Sequence, residues 1–124
     1  MNTLINCFFV GVGGMIGSVL RYLVGMLPIK HPSGFPITTL IINVTGAFFI
    51  GIIVTLAGKN SNIDPRLLLF LKVGICGGFT TFSTFALETQ GLFHGDKMFI
   101  GLLYAILSVI LCVAAITGAK ALIK

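Results

Sequence analysis

Apolar residues run along this chain in four long blocks, separated by three short polar breaks. The first block spans about Thr3 to Leu27 and holds one charge, Arg21. A hydrocarbon core takes about 20 residues of helix to cross, so the block predicts a membrane-spanning helix. Pro28, Pro32, Ser33 and Gly34 break it. Pro36 suits the first turn of a second helix, Ile37 to Ala57, which is uncharged and has Gly58 placed to end it. After a polar Lys59-Asn60-Ser61-Asn62 loop, Asp64-Pro65 reads as an N-cap and a first-turn proline. The third block, about Arg66 to Phe93, differs from the others: it holds Arg66, Lys72 and Glu88 around a centre rich in Gly, Thr and Ser. His94-Gly95-Asp96 makes the last turn, and the uncharged fourth block runs from Met98 to Ala119.

The pattern predicts an all-α integral membrane protein with four transmembrane helices, one domain over residues 1–124, and both termini on one side. Composition agrees. Of the 124 residues, 56% are hydrophobic and 9% charged, where a soluble domain carries about 25% charged residues. Mean hydropathy is +1.11. The formal charge of +5 does not point to nucleic acid, because the eight basic residues do not cluster and most sit near the ends of apolar blocks. There Lys and Arg reach lipid headgroups. Cys7, Cys76 and Cys112 fall in three separate blocks without metal-ligand spacing and read as small packing residues. His31 and His94 stand apart in loops, and the first block lacks the basic start of a secretory signal, so it is expected to remain a helix.

Chemistry concentrates in Gly74 to Phe85. Gly77-Gly78 and the β-branched threonines weaken a helix at mid-membrane, where unwound backbone survives only inside protein or beside a water-filled cavity. Two arrangements satisfy this pattern: a broken helix with freed carbonyls facing an ion, and a continuous kinked helix. Phe82 and Phe85 share a helical face, and their ring edges carry positive partial charge that can meet a small anion. The same pair also suits ordinary packing. Thr81, Ser83 and Thr84 add hydroxyl donors without a fixed charge, which suits an anion that must leave again. Asn43, with Thr39 one turn before it, either lines a pathway or joins two helices. Arg21 and Glu88 are ionisable groups at membrane depth and so are functional suspects. Among these residues no nucleophile, base and orienting group combine, so no enzyme is expected.

These residues carry a resemblance. Gly13-Gly14-Met15-Ile16-Gly17-Ser18-Val19-Leu20-Arg21-Tyr22 resembles the first-helix signature of the CrcB/Fluc fluoride channel family. Thr39 to Asn43, with Gly46 and Gly51, resembles its second helix, and Gly74 to Phe85 its third-helix motif. The resemblance covers the whole chain. It implies a passive fluoride channel of prokaryotic plasma membranes that gives fluoride resistance. It also implies a third helix broken at its centre and an antiparallel, dual-topology homodimer. One structural sodium ion would lie at the dimer interface, held by backbone carbonyls at Gly77 and Thr80. By the same resemblance the fluoride pathway takes Phe82, Phe85, Asn43 and Ser83, with Thr39, Glu88, Tyr104 and Ser108 on its polar side. Arg21 matches a structural arginine. Cys112 departs from relatives that carry a hydroxyl residue about there.

Two rivals remain to be weighed. A proton-coupled small multidrug exporter has a similar size, but it needs a buried carboxylate in its first helix, and none is present here. A non-conducting assembly subunit would pass no ions. For orientation, Lys59, Arg66, Lys72, Lys120 and Lys124 fall on one side, against Arg21, Lys30 and Lys97 on the other. Without the deep Lys72 the tally is four against three, too even to impose one orientation.

Overall fold

The computed structural model describes residues 2–123, so Lys124 of the basic tally lies outside the described residues. Four helical spans are long and apolar enough to cross a membrane: Asn2–Gly25, Ile37–Lys59, Pro65–His94 and Met98–Leu122. The first two are α1 and α2. The third is composite: α3 (Pro65–Leu68), a π-helical run (Leu69–Cys76), α4 (Gly77–Phe79) and, after an interruption, α5 (Phe82–His94). The last is α6, Met98–Leu122.

The ends follow local chemistry. Asp64 caps the third span, its Oδ1 accepting from the Arg66 N–H at 2.9 Å, with Pro65 in the first turn. Pro36 sits one residue before α2, as its N-cap. Gly58 does not end α2; the helix continues to Lys59 and closes where the Asn60 N–H donates to the Leu56 carbonyl. Lys59 Nζ then reaches the Ile123 carbonyl, tying the ends of α2 and α6.

Two pairings organise the bundle. α1 lies along the first half of the third span, and α2 lies along α6, while α5 packs on α6. The first pairing is backbone against backbone. A Cβ built on Gly13 would sit 2.9 Å from Gly74 Cα, and one on Gly78 would sit 2.6 Å from the Gly14 carbonyl oxygen. In lipid, where apolar side chains gain nothing by leaving the solvent, such close approach supplies the packing. Phe8, Met15, Leu87, Phe99, Ile106 and Val113 are exposed. Outward apolar side chains of this kind are what a bilayer requires of a multi-pass membrane protein.

Candidate functional site at the broken third helix

The third span is interrupted at Thr80–Thr81, whose backbones are extended (φ −82°, ψ 157° and φ −148°, ψ 120°). Gly77 is itself helical, with φ −65° and ψ −37°. The break thus falls three residues beyond the glycine pair that marks it in the sequence. Gly78 serves close contact with α1, and the extended β-branched threonines carry the break, in the conformation such residues favour.

Each backbone group set free by the break needs a partner at this depth. Asn43 on α2 supplies two. Its Oδ1 accepts the Thr81 N–H at 2.8 Å, and its Nδ2 donates to the Thr81 carbonyl at 3.1 Å. In an unbroken helix that Thr81 N–H would bond to Gly77. Arg21 Nε donates to the Gly78 carbonyl at 3.1 Å, replacing the Phe82 N–H of an unbroken helix. The first-helix arginine therefore anchors α1 to the break. Thr81 also caps α5, its Oγ1 accepting from the Thr84 N–H at 3.1 Å. The positive end of the α5 dipole consequently points at the break.

Two cavities flank this junction, and Thr81 lines both. The smaller, about 380 Å³, brings together Asn43, Gly77, Thr80, Phe82, Phe85 and Ser108, with Cys76 and Cys112. None of its lining residues is charged. Phe82 is 79% exposed, and its ring centroid lies 5.6 Å from that of Phe85. The Phe85 ring in turn lies 5.1 Å from Tyr104. Ser108 is 7% exposed, and its Oγ has no hydrogen-bond partner. A buried hydroxyl without a partner costs about 1–3 kcal/mol, and α6 carries that cost at this wall.

The larger cavity, about 710 Å³, holds Arg21, Thr38, Thr39, Thr84 and Glu88. Glu88 is bound at both carboxylate oxygens: Thr39 Oγ1 donates to Oε2 at 2.9 Å, and Tyr104 OH donates to Oε1 at 2.8 Å. Tyr104 is fully buried and lines neither cavity. Ser83 is exposed and also lines neither; its hydroxyl lies 3.4 Å from that of Thr81.

No group of three or more His, Cys, Asp or Glu that could hold a metal occurs among the described residues. Backbone oxygen at the break suits a hard cation. Gly77 fits that role: it is exposed, and a Cβ there would meet only the Lys72 carbonyl, at 3.8 Å. Its carbonyl has also lost the Thr81 donor to Asn43.

Sequence reasoning missed Thr81 as cap and shared wall, though a threonine directly before a helical run is a recognised N-cap. Gly46, which the sequence marks only as part of the second-helix motif, packs against the Thr80 methyl.

Comparison with known proteins agrees with this arrangement. Residues 8–119 match the family model described as CrcB-like protein, Camphor Resistance (CrcB). A protein of Ruminiclostridium cellulolyticum named fluoride-specific ion channel FluC is 45% identical, the match covering 100% of this chain and 96% of the relative. Relatives of the same name from Azobacteroides pseudotrichonymphae (43%, covering 90% of each chain) and Agrobacterium fabrum (39%, 96% of each) match similarly. With its four apolar spans and its interrupted third helix, the chain belongs to the CrcB-like family.

Proposed function

We propose that this protein is a passive, fluoride-selective channel that exports fluoride from the cytoplasm across the plasma membrane and so confers fluoride resistance. The observation that carries the reading is the smaller cavity. Phenylalanine rings and the capped start of α5 meet there without a fixed charge. Such a lining can replace the water around a small hard anion and still release it. The names of the relatives support fluoride as that anion. Hydrogen fluoride crosses lipid uncharged and ionises in a more alkaline cytoplasm. The trapped anion leaves under the negative-inside potential, worth about 2.3 kcal/mol per 100 mV. No nucleotide or redox cofactor is required.

The working unit of this reading is an antiparallel homodimer. Self-complementary surfaces close naturally about a two-fold axis, and that axis would bring the breaks of two third helices together. The Gly77 and Thr80 carbonyls of both would hold one sodium ion, which offsets the repulsion between facing carbonyl dipoles. The test is fluoride efflux from liposomes containing the purified chain, with chloride as control. Fluoride is expected to leave and chloride to stay. Equal rates for the two anions, or no flux, would overturn the reading.

A further inference from the structure

A line of aromatic rings joins the two cavities. Phe35, half-buried in the loop before α2, lines the larger one. Its ring centroid lies 5.4 Å from that of Tyr104, at an interplanar angle of 76° and so edge to face. Tyr104 meets Phe85 at 5.1 Å and 57°, and Phe85 meets Phe82 in the smaller cavity. Tyr104 is the middle ring, fully buried, with its hydroxyl end fixed on Glu88. A close-packed interior passes a displacement from one ring to the next. Phe85 is thus backed by Tyr104, and Tyr104 by Phe35.

The loop holds Phe35 in place. Pro36 disfavours helical backbone at the residue before it, and the Phe35 N–H donates to Ser33 Oγ at 3.3 Å. Lys97, in the turn between α5 and α6, donates through Nζ to the Ser33 carbonyl at 3.0 Å. Gly34, at φ +85°, leaves room for that strap: a Cβ there would meet Lys97 Nζ at 2.8 Å.

We propose that Phe35 is a positioning residue for ion passage: through Tyr104 it sets the angle at which the Phe85 ring faces the smaller cavity, and Lys97 keeps it there. An edge-to-face pair weights one ring orientation over its alternatives by about two- to tenfold. Losing the Phe35 ring releases Tyr104, and with it Phe85. The effect on flux rests on the channel reading, whereas the ring contact does not, so the two are measured separately.

The chain has two tyrosines and no tryptophan. In a Tyr22→Phe background, Tyr104 is therefore the only source of a tyrosine band in near-ultraviolet circular dichroism, a signal of fixed aromatic packing. Phe35→Leu in that background keeps apolar bulk and removes the ring. The Tyr104 band should weaken, and fluoride efflux from liposomes should fall about two- to tenfold. Phe35→Tyr supplies a ring again and should keep the background's flux. Lys97→Met, at an exposed position, leaves the ring but frees the loop, and should weaken band and flux by less. It decides the matter in the same way if Phe35→Leu does not fold. A lowered flux with an unchanged band, or a weakened band with unchanged flux, would overturn the proposal. So would a Phe35→Tyr chain as impaired as Phe35→Leu. A background chain that passes no fluoride, but whose band still weakens in Phe35→Leu, would instead sink the channel reading and leave the ring coupling standing.

Discussion

Asn43 and Thr81 are paired as two peptide groups are paired in a sheet: one side-chain amide both accepts from and donates to a single residue's backbone, at 2.8 and 3.1 Å. The two lie 38 positions apart and on different helices. The amide stands in for helical bonds that the break removes, which is why unwound backbone is tolerated at this depth.

Replacing Asn43 with Leu keeps the bulk and strands two backbone groups. Each stranded group costs about 1–3 kcal/mol. The variant should unfold at a lower temperature in detergent and should lose fluoride efflux in liposomes. Unchanged melting would show that water or another side chain already satisfies Thr81.

Gly78→Ala should destabilise strongly, since the new methyl would meet the Gly14 carbonyl oxygen at 2.6 Å with backbone on both sides. Overpacking of this kind costs about 1–3 kcal/mol. Gly11→Ala, on the same helix pair but with nothing within 4 Å, is the control and should be close to neutral. Equal melting temperatures for the two variants would contradict the packing described.

Phe82→Ile and Phe85→Ile keep apolar bulk and remove the ring edge. Both should lower fluoride flux while leaving the chain folded and its oligomeric state unchanged. Phe85 should also perturb Tyr104, whose ring it touches. Wild-type flux in both variants would reduce the rings to packing.

A structure determined in sodium should show a buried ion at the two-fold axis with oxygen ligands and no side-chain carboxylate. Bond lengths typical of water in its place, unchanged after sodium is exchanged for a large organic cation, would rule the ion out.

Reporters fused to the C-terminus should be active on both sides of the membrane, because the basic residues are nearly balanced between the two sides. Signal on one side only would favour a fixed orientation and an oppositely biased sister subunit.

The four spans were legible because the bilayer imposes length and apolarity directly on sequence, and Asp64-Pro65 announced the start of the third. The existence of a weak point near Gly77 was legible too. Its partners were not, because Asn43 and Arg21, which bond to the break, lie on other helices that no local window joins to Thr80–Thr81. The π-helical run at Leu69–Cys76 carries no signal in its composition; it emerges only where the third span meets α1 at Gly13 and Gly74. The sequence alone leaves Asn43 as either pathway or glue. It joins α2 to the break and also lines the smaller cavity.

The borrowed cap also sets an order of events during biogenesis. A ribosome delivers α2 to the membrane before Thr80 and Thr81 emerge, so the amide that completes the break already resides in the bilayer when the break arrives. With the two segments in the opposite order, bare peptide groups would wait in hydrocarbon for a partner not yet synthesised. The succession of helices along the chain thus puts the partner in the bilayer ahead of the groups that need it.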